Sequence, residues 1–331
     1  MSSGLSWQQQ WQTAFKSLPE LLTYLKLPLE VLDDCHHDHA FPVRVPLAFA
    51  ERMQPGNAQD PLLRQVLPLQ QELTFFPGYQ ADPLAEADAN PIPGVLHKYA
   101  GRILVTLSGA CAVHCRYCFR RHFPYAENQM STKQWPRIFE YLTARPDISE
   151  VILSGGDPLA LSDAVLHKFL TSLSAIASVK YVRVHTRFPI MIPARITPEL
   201  VDTLRATRFR TTMVLHSNHP QEWHPMLHAP LQQLKTAGIT LLNQAVLLRY
   251  VNDAADTLID LSYRLYDYGV LPYYLHVLDK VAGAAHFEVP HATAVEVVRT
   301  MIHALPGYLV PKLVYEAPHR LSKIPVNLEM M

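Results

Sequence analysis

The chain carries no net charge, with Lys+Arg 29 balancing Asp+Glu 29 over 331 residues. Proteins that grip a phosphate backbone are normally basic, so composition gives no reason to expect nucleic-acid binding. The basic group Arg116, Arg120 and Arg121 therefore needs a local explanation. No uninterrupted apolar run of membrane-spanning length occurs, and the opening MSSGLSWQQQWQTAFKSL lacks a basic segment followed by an apolar one. These absences predict a soluble, cytoplasmic protein with no membrane partner. Cysteine is scarce as well: there are 4, and three of them, Cys111, Cys115 and Cys118, crowd into one short segment. Disulfide frameworks spread their cysteines along a small secreted chain, so this crowding points to ligation and excludes a staple. Cys35 stands alone and reads as an unmodified thiol. Internal repeats and low-complexity segments are absent.

What is present fits one large α/β domain or one domain with appendages, since 49% hydrophobic residues suffice for a sizeable core. Residues 1–95 read as a helical, proline-punctuated N-terminal region. Helix-compatible spacing covers 7–18 and 19–25, with Pro19 in the first turn of the second helix, and less clearly 61–71, where Pro68 interrupts. Residues 76–94 look like an extended connection.

From Arg102 the pattern changes. Strand candidates at 103–107, 151–153, 181–185, 211–215, 240–246 and 273–277 alternate with helix candidates near 133–144, 164–175, 198–205, 230–237 and 255–266. Six strands alternating with helices predict a parallel sheet, doubly wound or closing toward a barrel. Polar residues follow successive strands: Cys111, then Ser154-Gly155-Gly156-Asp157, His185-Thr186-Arg187 and His216, with Gln244 on the fifth and Asp279 after the sixth. Side chains at the C-terminal ends of parallel strands converge on one mouth, which favours a partly open (βα)6 barrel over residues 96–290. Residues 291–331 form a C-terminal segment.

The cysteines read CAVHCRYC, a C-x3-C-x2-C spacing. Three thiolates on one loop can ligate three irons of a cubane and leave the fourth open, whereas iron–sulfur clusters usually take four cysteines. Two alternatives stay open on the residues alone. One is a zinc site recruiting His114 or His122, although paired C-x2-C spacing is absent. The other is a closed cluster using Cys35.

CAVHCRYC, with Tyr117 before its last cysteine, followed after the next strand by SGGDPL, resembles the radical S-adenosylmethionine superfamily. YCFRR, RVHTRFPIMIPARIT, NQAVLLRYVND, LPYYLHVLDKVAGAAHF and EAPHRLSKIPV narrow the resemblance to the lysine 2,3-aminomutases over roughly residues 95–326. DPLLRQVLP, PGVLHKY and FRRHFPYAENQ are similar to the shorter bacterial form that supplies (R)-β-lysine for elongation factor P.

The resemblance implies a 4Fe–4S cluster on Cys111, Cys115 and Cys118, with S-adenosylmethionine lined by Tyr117, Ser154, Gly155, Gly156, Asp157 and His216. It implies pyridoxal phosphate on Lys323, in an EAP-x4-K-x-P frame where the family has four glycines and this chain has His319, Arg320, Leu321 and Ser322. Arg102 and Gln244 fall at the cofactor phosphate, with Tyr99 and Lys98 beside them. Arg120 falls at the substrate α-carboxylate, which suits a guanidinium fork, and Asp279 and Glu316 at the distant ammonium of L-lysine. The implied reaction is radical removal of a β-hydrogen and a 1,2-shift of the amino group. The implied partners are an electron donor such as flavodoxin or ferredoxin, and elongation factor P with its lysyl-ligase. Oligomeric state is left open.

Overall fold

A computed structural model describes residues 4–36, 40–128 and 130–328. Nine strands form one sheet in strictly sequential order. They are β1 (Val95–Tyr99), β2 (Arg102–Ser108), β3 (Glu150–Gly155), β4 (Tyr181–Thr186), β5 (Arg210–His216), β6 (Thr240–Val246), β7 (Leu271–His276), β8 (Lys312–Tyr315) and β9 (Ile324–Pro325). Strands β2 to β8 are parallel. β1 and β9 close the two edges antiparallel. A doubly wound sheet reverses its strand order at a switch point. Here the order never reverses, so the sheet curls as a barrel and stays open between its edge strands.

All six anticipated strands are present. Each is followed by a helix: Trp135–Thr143, Asp163–Leu173, Pro198–Ala206, His228–Thr236, Ala255–Asp267 and His291–Ala304. The sequence pattern did not single out β8, whose four residues follow Pro311 and are too few to show a period.

Alternation along the strands separates core from site. On β4, Val182 and Val184 are buried beneath the helices, while Arg183 and His185 face the barrel interior. β6 repeats the pattern with Leu241, Asn243 and Ala245 outward and Gln244 and Val246 inward. The helices answer with apolar stripes, such as Leu258, Leu261 and Leu265 at helical spacing. Burying each such leucine contributes about 1.5–3 kcal/mol. The main apolar cluster runs continuously from Trp7 to Val326.

The N-terminal region differs from expectation. Its first helix covers only Trp7–Gln12, because after the Thr13 cap Phe15 exchanges backbone hydrogen bonds with Val45 at 2.8 and 2.9 Å. Pro19 does sit in the first turn of Leu18–Tyr24. The third expected helix shrinks to Pro61–Arg64, capped by Asp60, with a separate 3-10 turn at Gln70–Leu73. Trp7 and Trp11 pack edge-on against Phe188, and the Trp11 indole donates to the Cys111 carbonyl at 3.1 Å. The N-terminal segment thus braces the cysteine loop.

Candidate active site

The inward ends of the strands surround a cavity of about 340 Å³. Cys111, Cys115 and Cys118, Lys323, Arg102, Gln244, Arg120, Asp279 and Glu316 all line it. Of the basic group near the cysteines, Arg116 and Arg121 have a structural explanation. Arg116 is fully buried and forks onto Glu72 through Nε (2.9 Å) and Nη2 (2.6 Å), and Arg121 adds a third bond at 2.8 Å. Both therefore clamp the cysteine loop to the N-terminal region.

Gly156 is required for packing against the same loop. A Cβ there would lie 2.6 Å from the Gly109 carbonyl carbon and 2.7 Å from the Ser108 oxygen, both backbone atoms that cannot swing aside. Gly155, at φ +105°, faces Thr106 equally closely, and its carbonyl accepts from the Tyr125 hydroxyl at 2.7 Å. Asp157 lines the cavity, but its carboxylate accepts from Thr186 Oγ1 and from the backbone of Leu159, Arg187 and Phe188. It ties β3 to the turn after β4.

Behind Cys115 lies a buried polar network that the sequence did not announce. Arg187 donates to Cys115 Sγ and to the Tyr117 hydroxyl, both at 2.6 Å, and is countered by Glu222 at 3.2 Å. Tyr117 also meets His216 Nε2 at 3.0 Å and Asn218 at 2.6 Å. Arg187 follows the third predicted strand, but its type alone does not distinguish a thiol partner from solvent.

At the opposite wall, Lys323 Nζ and the Tyr99 hydroxyl both reach Glu316 at 2.5 Å. Burial opposes charge on Glu316, yet Lys323 and Tyr99 hold it down to about 2. Asp279 goes the other way: burial and then the neighbouring Glu316 charge push it up to about 7. His185 is kept neutral by burial, and its Nε2 has no partner among the described residues. Arg102 stacks on the Tyr99 ring at 4.8 Å. Among the described residues neither Arg102 nor Gln244 makes a side-chain hydrogen bond or ion pair with the protein. Lys98 turns to Glu86 at 3.3 Å, and Arg120 forks onto the same Glu86 with two bonds of 2.7 Å. Glu86 lies in the stretch read as a plain connection, where one acidic residue among prolines and alanines carries no spacing signal.

The radical SAM superfamily profile matches residues 105–221. The L-lysine 2,3-aminomutase of Escherichia coli is 47% identical over 98% of this chain and 95% of its own. That of Haemophilus influenzae is 44% identical over 93% of each chain. The L-lysine 2,3-aminomutase of Clostridium subterminale is 32% identical over 97% of this chain and 77% of its own. The chain belongs to the lysine 2,3-aminomutase family of radical S-adenosylmethionine enzymes.

Lysine 2,3-aminomutases of this superfamily use a 4Fe–4S cluster, S-adenosylmethionine and pyridoxal phosphate, and the residues of this aminomutase fit all three. Burial, with neighbouring negative charge, raises Cys111 and Cys118, the latter to about 11, so these thiols ionise readily only beside a cation such as iron. Three thiolates on one loop, each free to take a different iron, suit such a cluster. His114 Nδ1 meets the Pro42 carbonyl at 2.6 Å, His122 Nε2 that of Ala282 at 3.1 Å, and the Cys35 thiol donates to that of Val31 at 3.3 Å. Arg102, stacked on Tyr99, lines the same cavity as the Lys323 amine, a cation and an amine that suit an anionic aldehyde cofactor. The loop before Lys323 lacks the family's glycines, yet His319 still adopts φ 60°. That left-handed conformation carries some cost for a residue with a side chain.

Proposed function

We propose that the protein converts L-lysine to (R)-β-lysine, and that the product serves the modification of elongation factor P through its lysyl-ligase. One observation carries the reading: the three cysteines, Lys323, Arg120 and the Asp279–Glu316 carboxylates line one cavity. Cys111, Cys115 and Cys118 hold the cluster, with an electron entering from a flavodoxin or ferredoxin. Tyr117, His216, Ser154, Gly155 and Gly156 shape the S-adenosylmethionine pocket, and Asp157 fixes its floor. Lys323 carries pyridoxal phosphate, with Arg102 and Gln244 at its phosphate and Lys98 and Tyr99 alongside.

When bound, these cofactors supply hydrogen-atom abstraction at the lysine β-carbon and a π-system across which the amino group can shift. The chain supplies position. Arg120 takes the α-carboxylate, while Asp279 and Glu316 receive the ε-ammonium, so substrate length is read from both ends. The surrounding wall, including the neutral imidazoles of His185 and His276, excludes water from a reactive radical.

The test is anaerobic incubation of the reconstituted protein with lysine, S-adenosylmethionine and a reductant, followed by chiral analysis. (R)-β-lysine is expected, and the lysyl-ligase should accept it. The S isomer would sever the link to elongation factor P, and no β-lysine at all would refute the reading.

A further inference from the structure

Arg120 does not wait alone at its end of the cavity. Glu86 takes its side edge, Nε to Oε2 and Nη2 to Oε1, each at 2.7 Å. Among the described residues Nη1 has only Ser154 Oγ, at 3.5 Å, and Arg120 lines the cavity. A guanidinium offers two parallel-bond edges to carboxylates, so one can be fixed while the other stays free.

The chain is built locally to present Glu86. Asp82 accepts from the backbone N–H groups of Glu86 and Ala87 at 3.0 and 3.1 Å, and Ala85 takes a left-handed φ of 48°. Strained backbone persists where surrounding structure enforces it, often at functional sites. Glu86 is only 3% exposed and Arg120 8%. Lys98 approaches the same carboxylate at 3.3 Å. Two cations therefore share one anion, and a substrate carboxylate would complete the charge balance.

We infer that Glu86 is the positioning residue of the substrate-carboxylate site, locking the Arg120 fork by one edge so that the other meets the α-carboxylate of an amino acid. The inference rests on the proposed role of Arg120. Its consequence is discrimination: an aligned fork rewards a planar carboxylate far more than an amide, whereas a rotating guanidinium is a diffuse charge.

The experiment compares lysine with lysinamide on the reconstituted holoenzyme of wild type, Glu86→Gln, Glu86→Asp and Arg120→Lys. Pyridoxal absorbance, iron content and melting temperature are read beside the kinetics. In Glu86→Gln, KM for lysine should rise about tenfold or more with kcat changed less, and the preference for lysine over lysinamide should shrink by a similar factor, about one decade per lost aligned charge-assisted bond. Glu86→Asp, one methylene short of reaching the Arg120 fork, should fall between, and it carries the test if the glutamine variant does not fold. A merely structural Glu86 would lower melting temperature and active fraction but leave the lysine-to-lysinamide preference intact, which would overturn the inference. A lower KM in Glu86→Gln would also overturn it, since Glu86 would then be competing for the carboxylate's place. If Arg120→Lys leaves the preference unchanged, the assignment of Arg120 itself has failed, a result separable from the behaviour of Glu86.

Discussion

Asp279 and Glu316 sit in one cavity with opposite proton affinities. Lys323 and Tyr99 hold Glu316 ionised, whereas Asp279 is pushed up to about 7. An ammonium needs a carboxylate partner, so on the proposed reading lysine binds the deprotonated Asp279. As pH falls through 7, KM for lysine should rise toward tenfold per unit, and the dependence should vanish in Asp279→Asn. That variant should also lose on the order of a hundredfold in kcat/KM, since breaking a buried ion pair costs about 3–5 kcal/mol. A flat KM profile between pH values on either side of 7 would remove Asp279 from ammonium binding. That Arg120, Asp279, Glu316 and Lys323 come together in one cavity was legible because the motif frames carry them. Their partners were not: Glu86 is 34 positions from Arg120, and Tyr99 is 217 from Glu316. Contacts between distant segments leave no local pattern.

Among the elements, the six strands were readable because each is a short run rich in β-branched or other apolar residues set between amphipathic helical stretches. The short β8, the edge strands and the broken N-terminal helices were not, because tertiary pairing such as Phe15 with Val45 overrode local spacing. The β3 turn makes the sharpest prediction at this scale. Gly156→Ala would force a Cβ into the backbone of residues 108–110, just before Cys111. Overpacking of this kind costs about 1–3 kcal/mol. The variant should fold but retain less iron and bind S-adenosylmethionine poorly, as read by iron assay and equilibrium dialysis. Normal iron and binding would show that the turn yields and that the glycine is incidental. Separately, Cys111→Ala, Cys115→Ala or Cys118→Ala should abolish the iron and sulfide content that Cys35→Ala leaves intact. Loss of the cluster in Cys35→Ala would restore the closed four-cysteine alternative.

Across the whole molecule, one nine-stranded sheet and one main apolar cluster join the N-terminal region, the barrel and the C-terminal tail. The cysteine loop after β2 and Lys323 beside β9 therefore meet in one cavity although they lie far apart in the chain. Lys323→Ala should keep the cluster and cleavage of S-adenosylmethionine but lose the borohydride-trapped pyridoxal adduct, which in wild type should map to Lys323 by mass spectrometry. An adduct on Lys98 or Lys312 would overturn that assignment. The central claim, that this cavity moves an amino group between adjacent carbons of lysine, is tested most directly by following the nitrogen. With lysine carrying heavy nitrogen at its α-position, the reconstituted protein should yield β-lysine with the label on the β-carbon, read by nitrogen-coupled carbon NMR. Label remaining on the α-carbon, with S-adenosylmethionine consumed, would contradict it.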